Sequence, residues 1–178
     1  MLLAAVAACT AAAPAFSRVV VTQEKALAEA FAGSTVTRRD AFLTDGQAAR
    51  VEELSGTPPA TRVVAYYAAT GEGKPVGIAF FDTHLVRTLP ETLMIVVDPA
   101  GAVVKVEVLS FDEPPEYLPK PRWFALFADR KLDRDVAAGK GIPVVTGATL
   151  TSRAVAAAVR RALALHAVLI APGADAPR

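Results

Sequence analysis

Four apolar runs, set so close together that little but turns fits between them, limit this chain's fold more than any other feature. Residues 62–69 are rich in Val and Tyr, 76–81 are nearly all apolar, and 93–97 and 103–109 repeat the pattern. Each run has strand length, and β-branched and aromatic side chains suit a pleated, half-buried surface. Thr-Gly-Glu-Gly-Lys-Pro separates the first two runs and Asp-Pro-Ala-Gly the last two, both hairpin connectors. Strands joined this closely pair antiparallel, because a parallel crossover needs a dozen or more residues. In the last run Val104, Val106 and Val108 alternate with Lys105 and Glu107, which predicts one wet face. The expected centre is an antiparallel β-meander of about four strands.

Helices flank it, giving an α+β fold. A strand-like run at 18–21 leads to Thr22, a plausible cap for a helix that carries Leu27, Ala30 and Phe31 on one face and ends at Gly33. A second helix is expected from near Arg39, carrying Ala41, Phe42, Ala48, Val51 and Leu54, until Ser-Gly-Thr-Pro-Pro at 55–59 breaks it. Beyond Phe111 the chain is dense in proline and aromatics, which predicts an irregular loop, a short helix at 122–127 and a further helical turn at 131–138. An extended link at 142–145 delivers the chain to a final helix, 151–170, with Val155, Val159, Leu163, His166 and Ile170 inward. Arg153, Arg160 and Arg161 are expected to face outward.

The amino terminus reads differently. Residues 1–16 are apolar, Ala-rich and too short to span a bilayer, which fits the hydrophobic part of an export signal. Val6-Ala7-Ala8-Cys9 resembles a bacterial lipobox, whose cysteine is lipidated, while Ala13-Pro14-Ala15 is a competing cleavage site that would release a soluble protein. The expected organisation is a signal at 1–16, one domain at 17–171 and a frayed tail at 172–178, in the periplasm or on the outer face of the cytoplasmic membrane.

Charge and composition exclude several functions. The formal net charge is +1 and the basic residues are scattered, so nucleic acid is not the main partner. A single cysteine, Cys9, rules out an intrachain disulfide or a cysteine-rich metal site. His84 and His166 lie far apart in sequence, and no metal site is expected. His84 reads as a polar residue at a strand end. No Gly-x-Ser-x-Gly is present, and Thr-Gly-Glu-Gly-Lys-Pro lacks Walker spacing.

The chemistry concentrates at Thr-Gly-Ala-Thr-Leu-Thr-Ser, residues 146–152, an extended segment turning into a helix. Gly147 allows a conformation or an approach that a side chain forbids, and Ala148 keeps the neighbouring volume small. The unpaired amides and dipole of the helix start suit an anion. Thr149, Thr151 and Ser152 add hydroxyl donors. Arg153 stands in the helix start with no acid before Val155, opposing the dipole unless an anion lies between. Spacing alone leaves a second reading open, in which Thr149 or Thr151 simply caps the helix.

These residues resemble the flavinylation motif of the FMN-binding domain family. That family includes peripheral subunits of the sodium-pumping NADH:quinone reductase and the Rnf complex, and many small exported relatives. Its pattern, Asp-x-x-Ser/Thr-Gly-Ala-Thr, places the final threonine, the phosphoester acceptor for FMN, on Thr149. Thr146, Gly147, Ala148, Leu150, Thr151 and Ser152 form the rest of the implied cofactor site. The likeness spans roughly residues 61–171 and implies that Glu113, Pro114 and Tyr117 occupy the family's Glu-Thr-Pro-type loop. Trp123 is either a wall for the flavin or an anchor for its short helix. One position departs: the family's aspartate corresponds to Pro143, which leaves covalent and non-covalent FMN both open. The resemblance implies an electron carrier matured by a flavin transferase and served by a redox partner, either a membrane complex or a cytochrome. A flavin-dependent reductase and a cofactor-free binding or assembly module are the alternatives.

Overall fold

The computed structural model describes residues 18–19 and 21–171. The signal segment with Cys9 and both cleavage readings, and the tail at 172–178, lie outside the described residues. An antiparallel sheet in the order β1-β6-β5-β4-β3-β2 forms the centre. Its strands are β1 (Arg18–Val19), β2 (Thr35–Phe42), β3 (Val63–Gly71), β4 (Lys74–Leu85), β5 (Pro90–Val97) and β6 (Val103–Phe111). Strands β2 to β6 follow one another as neighbours, so the meander has five strands. The short β1 joins the β6 edge with Arg18 opposite Phe111.

The extra strand is β2, where sequence reading places the start of a helix. Thr35, Val36 and Thr37 are β-branched, and the whole stretch pairs with β3 from Thr35–Thr70 to Phe42–Val63. The helix signal is sound but begins later, at α2 (Asp45–Ser55). There the Thr44 hydroxyl accepts the Gln47 amide while the Gln47 side chain accepts the Thr44 amide, a reciprocal cap. Gly56 closes α2 in the left-handed region, φ 79°. Thr22 caps α1 (Gln23–Ala30) as expected, accepting the Lys25 amide at 3.3 Å.

Both sheet faces are covered. Leu93, Ile95 and Val97 of β5 pack beneath α2 and α4 (Thr149–Leu169), whose Val155, Val159 and Leu163 are buried with them. Met94 and Val96 point the other way, towards Leu27 and Phe31 at α1. A strand buried on two faces reads as a continuous apolar run, which explains 93–97. In β6 the expected wet face fails at one place. The register shifts opposite Val96 and Val97, so Val103 and Val106 are buried while Val104 is 55% exposed.

Three further expectations need correction. Residues 131–138 form turns, because the Asp133 carboxylate accepts the amides of Asp135 and Val136 and holds a loop. The last helix starts at Thr149, two positions ahead of 151. Arg160 and Arg161 do not face outward. Arg160 donates to the carbonyls of Leu54, Ser55 and Asp133, supplying donors that the α2 carboxyl end lacks. Arg161 grips Asp82 of β4 with two nitrogens, at 2.8 and 2.9 Å.

Candidate functional site

Three segments meet at one end of the sheet: the β4–β5 loop at 86–89, the 3-10 turn Pro115–Tyr117, and the start of α4. They enclose a cavity of about 190 Å³ lined by Val86, Arg87, Tyr117 and residues 147–151. Two larger cavities, about 500 and 510 Å³, lie elsewhere, one where β3 and β4 splay beside Asp82 and Arg161, the other between β6 and α3 (Pro121–Phe124). Size alone therefore does not choose the site; the donor chemistry does.

The hydroxyls of the motif divide into two kinds. Ser152 is fully buried, its Oγ donating to the Ala148 carbonyl at 2.9 Å and accepting the Val145 amide at 3.1 Å. Thr151 is also buried and donates to the Tyr117 carbonyl at 2.7 Å. These two staple the turn and tie it to the 3-10 segment. Thr149 is different. It is half-buried in the cavity wall, and its hydroxyl makes no hydrogen bond with any described residue.

No threonine caps the helix. Ala148 occupies the cap position without a side-chain hydrogen bond, and no acid stands in the first turn. The positive end of the 21-residue α4 thus meets the cavity without a side-chain counter-charge. Gly147 makes this geometry with φ 83°, a region that costs other residues roughly 1–2 kcal/mol. Arg87 brings a second positive group to the same cavity. A free hydroxyl, a helix amino end and a guanidinium converge there, and a phosphate monoester matches all three.

Other residues singled out from sequence stand behind this arrangement. Glu113 is buried, and its Oε1 accepts the amides of Arg87, Thr88 and Leu89 at 3.2, 2.7 and 2.9 Å. Those bonds, the one from Thr88 foremost, hold its carboxyl below the usual range against the opposing pull of burial. Glu113 shapes the loop that presents Arg87 and does not line the cavity. Pro114 is exposed, and its carbonyl accepts the Tyr117 amide at 2.9 Å. Tyr117 lines the cavity; Thr146 and Leu150 are exposed, Leu150 in the cavity wall.

Trp123 lies in the main core, edge-on to Phe124 and Phe127 with centroids 5.2 and 5.3 Å apart. Its indole N–H donates to the Pro143 carbonyl at 2.7 Å. It anchors α3 and steadies the link into the motif. Val86 and Arg87 are the cavity residues that sequence reading misses. Nothing in their local pattern marks them, and only the meander, by returning the β4–β5 loop to the α4 start, brings them in.

Beneath that loop runs a chain of buried charges. Asp82 accepts from Arg161 and bonds His84 Nδ1 at 2.9 Å, and His84 Nε2 lies 3.1 Å from Glu91. Burial opposes a charged imidazole, but the bonds to Asp82 and then Glu91 outweigh it and push His84 up to about 9. Burial raises Glu91, whose Oε1 has no partner, and His84 only partly offsets it. His84 does stand at a strand end, next to last in β4, as expected, but it is an interior ion there. His166 is the packing residue expected, buried, with its imidazole pushed down chiefly by burial.

Residues 89–164 match the model of the FMN-binding domain family. The match runs from the end of the β4–β5 loop through most of α4 and takes in Glu113, Tyr117, Trp123 and the whole 146–152 motif. No curated protein matches the chain. Residues 89–164 are thus similar to the FMN-binding domain family, on an α+β fold with an antiparallel sheet, and FMN is the cofactor that the match indicates.

Proposed function

We propose that this protein is an exported electron carrier whose FMN is joined through its phosphate to the Thr149 hydroxyl. The observation that carries the reading is the unpartnered Thr149 Oγ1 in a cavity wall that also holds Arg87 and the amino end of α4. A threonine serving only to cap or to staple would be hydrogen-bonded, as Thr151 is. FMN, when bound, supplies one- or two-electron exchange. The chain's own part is to hold and orient. Arg87 and the α4 dipole balance the phosphate charge, Ser152 and Thr151 fix the turn, and Glu113 fixes the loop. Pockets that enclose a whole cofactor run to roughly 300–1,000 Å³. A cavity of about 190 Å³ would suit the phosphate end of the group.

Attachment would come from a flavin transferase, with FAD as donor and Thr149 as acceptor. Export fits the apolar segment at 1–16, and a lipid on Cys9 would keep the carrier at the membrane face, near a membrane complex or cytochrome. Co-expression with a flavin transferase tests the attachment. On a denaturing gel the wild type should fluoresce as a flavoprotein and Thr149→Ala should be dark. A fluorescent alanine variant would move the site, and a dark wild type that is yellow when native would make the cofactor non-covalent. Cys9→Ser should shift the protein from the membrane to the soluble fraction; unchanged fractionation would remove the lipid anchor.

A further inference from the structure

We propose that the outer edge of β6 between Val104 and Val108, with the groove beside it, is a docking site for an extended segment of a partner polypeptide. That segment is apolar at alternate positions and adds to the sheet as a short antiparallel strand. The site stands apart from the cofactor cavity and does not depend on flavin attachment. Backbone groups provide the first ground for it. The Asp98 amide donates to the Ala102 carbonyl across the β5–β6 turn, so by two-residue alternation Val96 and Met94 face β6. Lys105 and Glu107 stand opposite them and turn their N–H and C=O groups inward. Val106 and Val108 therefore turn theirs outward. No described residue bonds them there. The Val103 amide and carbonyl meet Arg130 and Asp129, the Leu109 carbonyl meets the Val21 amide, and β1 pairs only with Ser110 and Phe111.

The groove provides the second. Residues 112–130 run back along this edge as an arch pinned at both ends, where Asp112 donates to the Pro90 carbonyl and Asp129 to that of Val103. Between the pins the arch stands off from β6 and leaves a cavity of about 510 Å³. Pro119 and Pro121 carry no N–H, so the arch has nothing to donate to the strand there. Its Leu118 and Phe124 pack with Val106 and Val108 as an apolar wall, and Val104, which also lines the cavity, is 55% exposed. Strand edges are commonly blunted by unpaired charge or by a cover. Here Lys105 and Glu107 neutralise each other at 2.8 Å, and the covers stop at Val103 and Leu109. The same edge takes main chain at both ends, which marks main chain as what fits the stretch between. A second copy of β6, centred on Val106, would bring its Leu109 to the place where Asp129 and Arg130 already meet Val103. The occupant is therefore a segment free of such flanks and long enough to span 104–108. In strand addition of this kind main-chain bonds supply affinity and alternate side chains supply specificity. Antiparallel pairing is the more stable, and a base opposite Glu107 with an acid opposite Lys105 complements the strand. Tyr117 lines the cofactor cavity and the adjoining Leu118 lines the groove, so the groove lies behind the segment that walls that cavity.

The test uses the full chain, with or without flavin, and the capped peptide Val-Lys-Val-Glu-Val, followed by 15N NMR. The peptide should shift amides at 104–108 and 118–128 and leave those of β2 unmoved. N-methylation of its central valine removes the amide that faces Val106 and should weaken binding about tenfold or more, whereas N-methylation of its lysine, whose amide faces away, should not. The charge-exchanged peptide Val-Glu-Val-Lys-Val should bind about threefold or more weaker. Ala128→Trp fills the groove from an exposed position in its wall and should abolish the shifts while the rest of the spectrum stays in place. Ala125→Trp, likewise exposed in that wall, gives a second block should the first variant unfold. Shifts confined to other elements, equal loss with either methyl group, or equal affinity for the two peptides would overturn the proposal. So would sedimentation of the chain alone as a dimer that Ala128→Trp dissociates, since the edge would then serve a second copy.

Discussion

Among four hydroxyls within seven residues, hydrogen bonding sets Thr151 and Ser152 apart from Thr146 and Thr149, and of the latter two only Thr149 lines the cavity. Ser152 and Thr151 are buried and satisfied; Thr149 is not bonded. Ser152→Ala would leave the Val145 amide without its acceptor, at a cost of about 1–3 kcal/mol. Urea unfolding should show that loss, and wild-type stability in the variant would mean that the staple contributes nothing. Spacing could place these hydroxyls at a helix start but could not rank them, because the ranking depends on Tyr117, Ala148 and Val145 as partners; only the family resemblance singled out Thr149. Glu113 shows the same limit. Its proximity to Tyr117 in sequence suggests a place in the cofactor site, whereas its three amide partners lie more than twenty positions upstream, in the β4–β5 loop.

At the scale of elements, local signals were legible wherever they outvoted context. Thr22, Gly56 and the two hairpin turns mark boundaries that the structure keeps. Strand β2 was hidden because Arg38, Arg39 and Asp40 interrupt its apolar pattern, and its identity comes from pairing with β3. The β4–β5 hairpin carries the prediction proper to this scale. His84 is held protonated between Asp82 and Glu91, with Arg161 completing two positive and two negative groups. A folded-state value of about 9, against 6.5 for the ordinary imidazole, stabilises the fold fully below about pH 6.5 and is lost as pH rises through 9. The contribution at neutral pH is on the order of 1–3 kcal/mol. Denaturant midpoints from pH 6 to 10 should fall on the alkaline side for wild type and stay nearly flat for His84→Gln. Parallel curves would show that the imidazole is not the titrating group.

Taken whole, the molecule is a sheet whose loose ends are managed differently at its two edges. At β6, the backbone of Asp129 and Arg130 covers Val103, and Arg18, Val19 and Val21 meet Phe111, Ser110 and Leu109. Among the described residues the outer edge of β2 is defended only by charge, so Arg38→Val with Arg39→Val should raise light scattering on concentration. Scattering equal to wild type would mean that those arginines do not protect the edge. Fold class was legible because it is written in short, contiguous patterns. The cavity was not, because Arg87 and Thr149 are brought together only by the way the β4–β5 loop returns to the start of α4. The central claim concerns one oxygen atom, and fragmentation mass spectrometry of the flavin-bearing peptide addresses it directly. After maturation with a flavin transferase, the account predicts FMN, joined through its phosphate with loss of water, on Thr149 and on no other residue. The same mass on Thr146, Thr151 or Ser152, or an unmodified peptide from protein that carries no flavin, would contradict it.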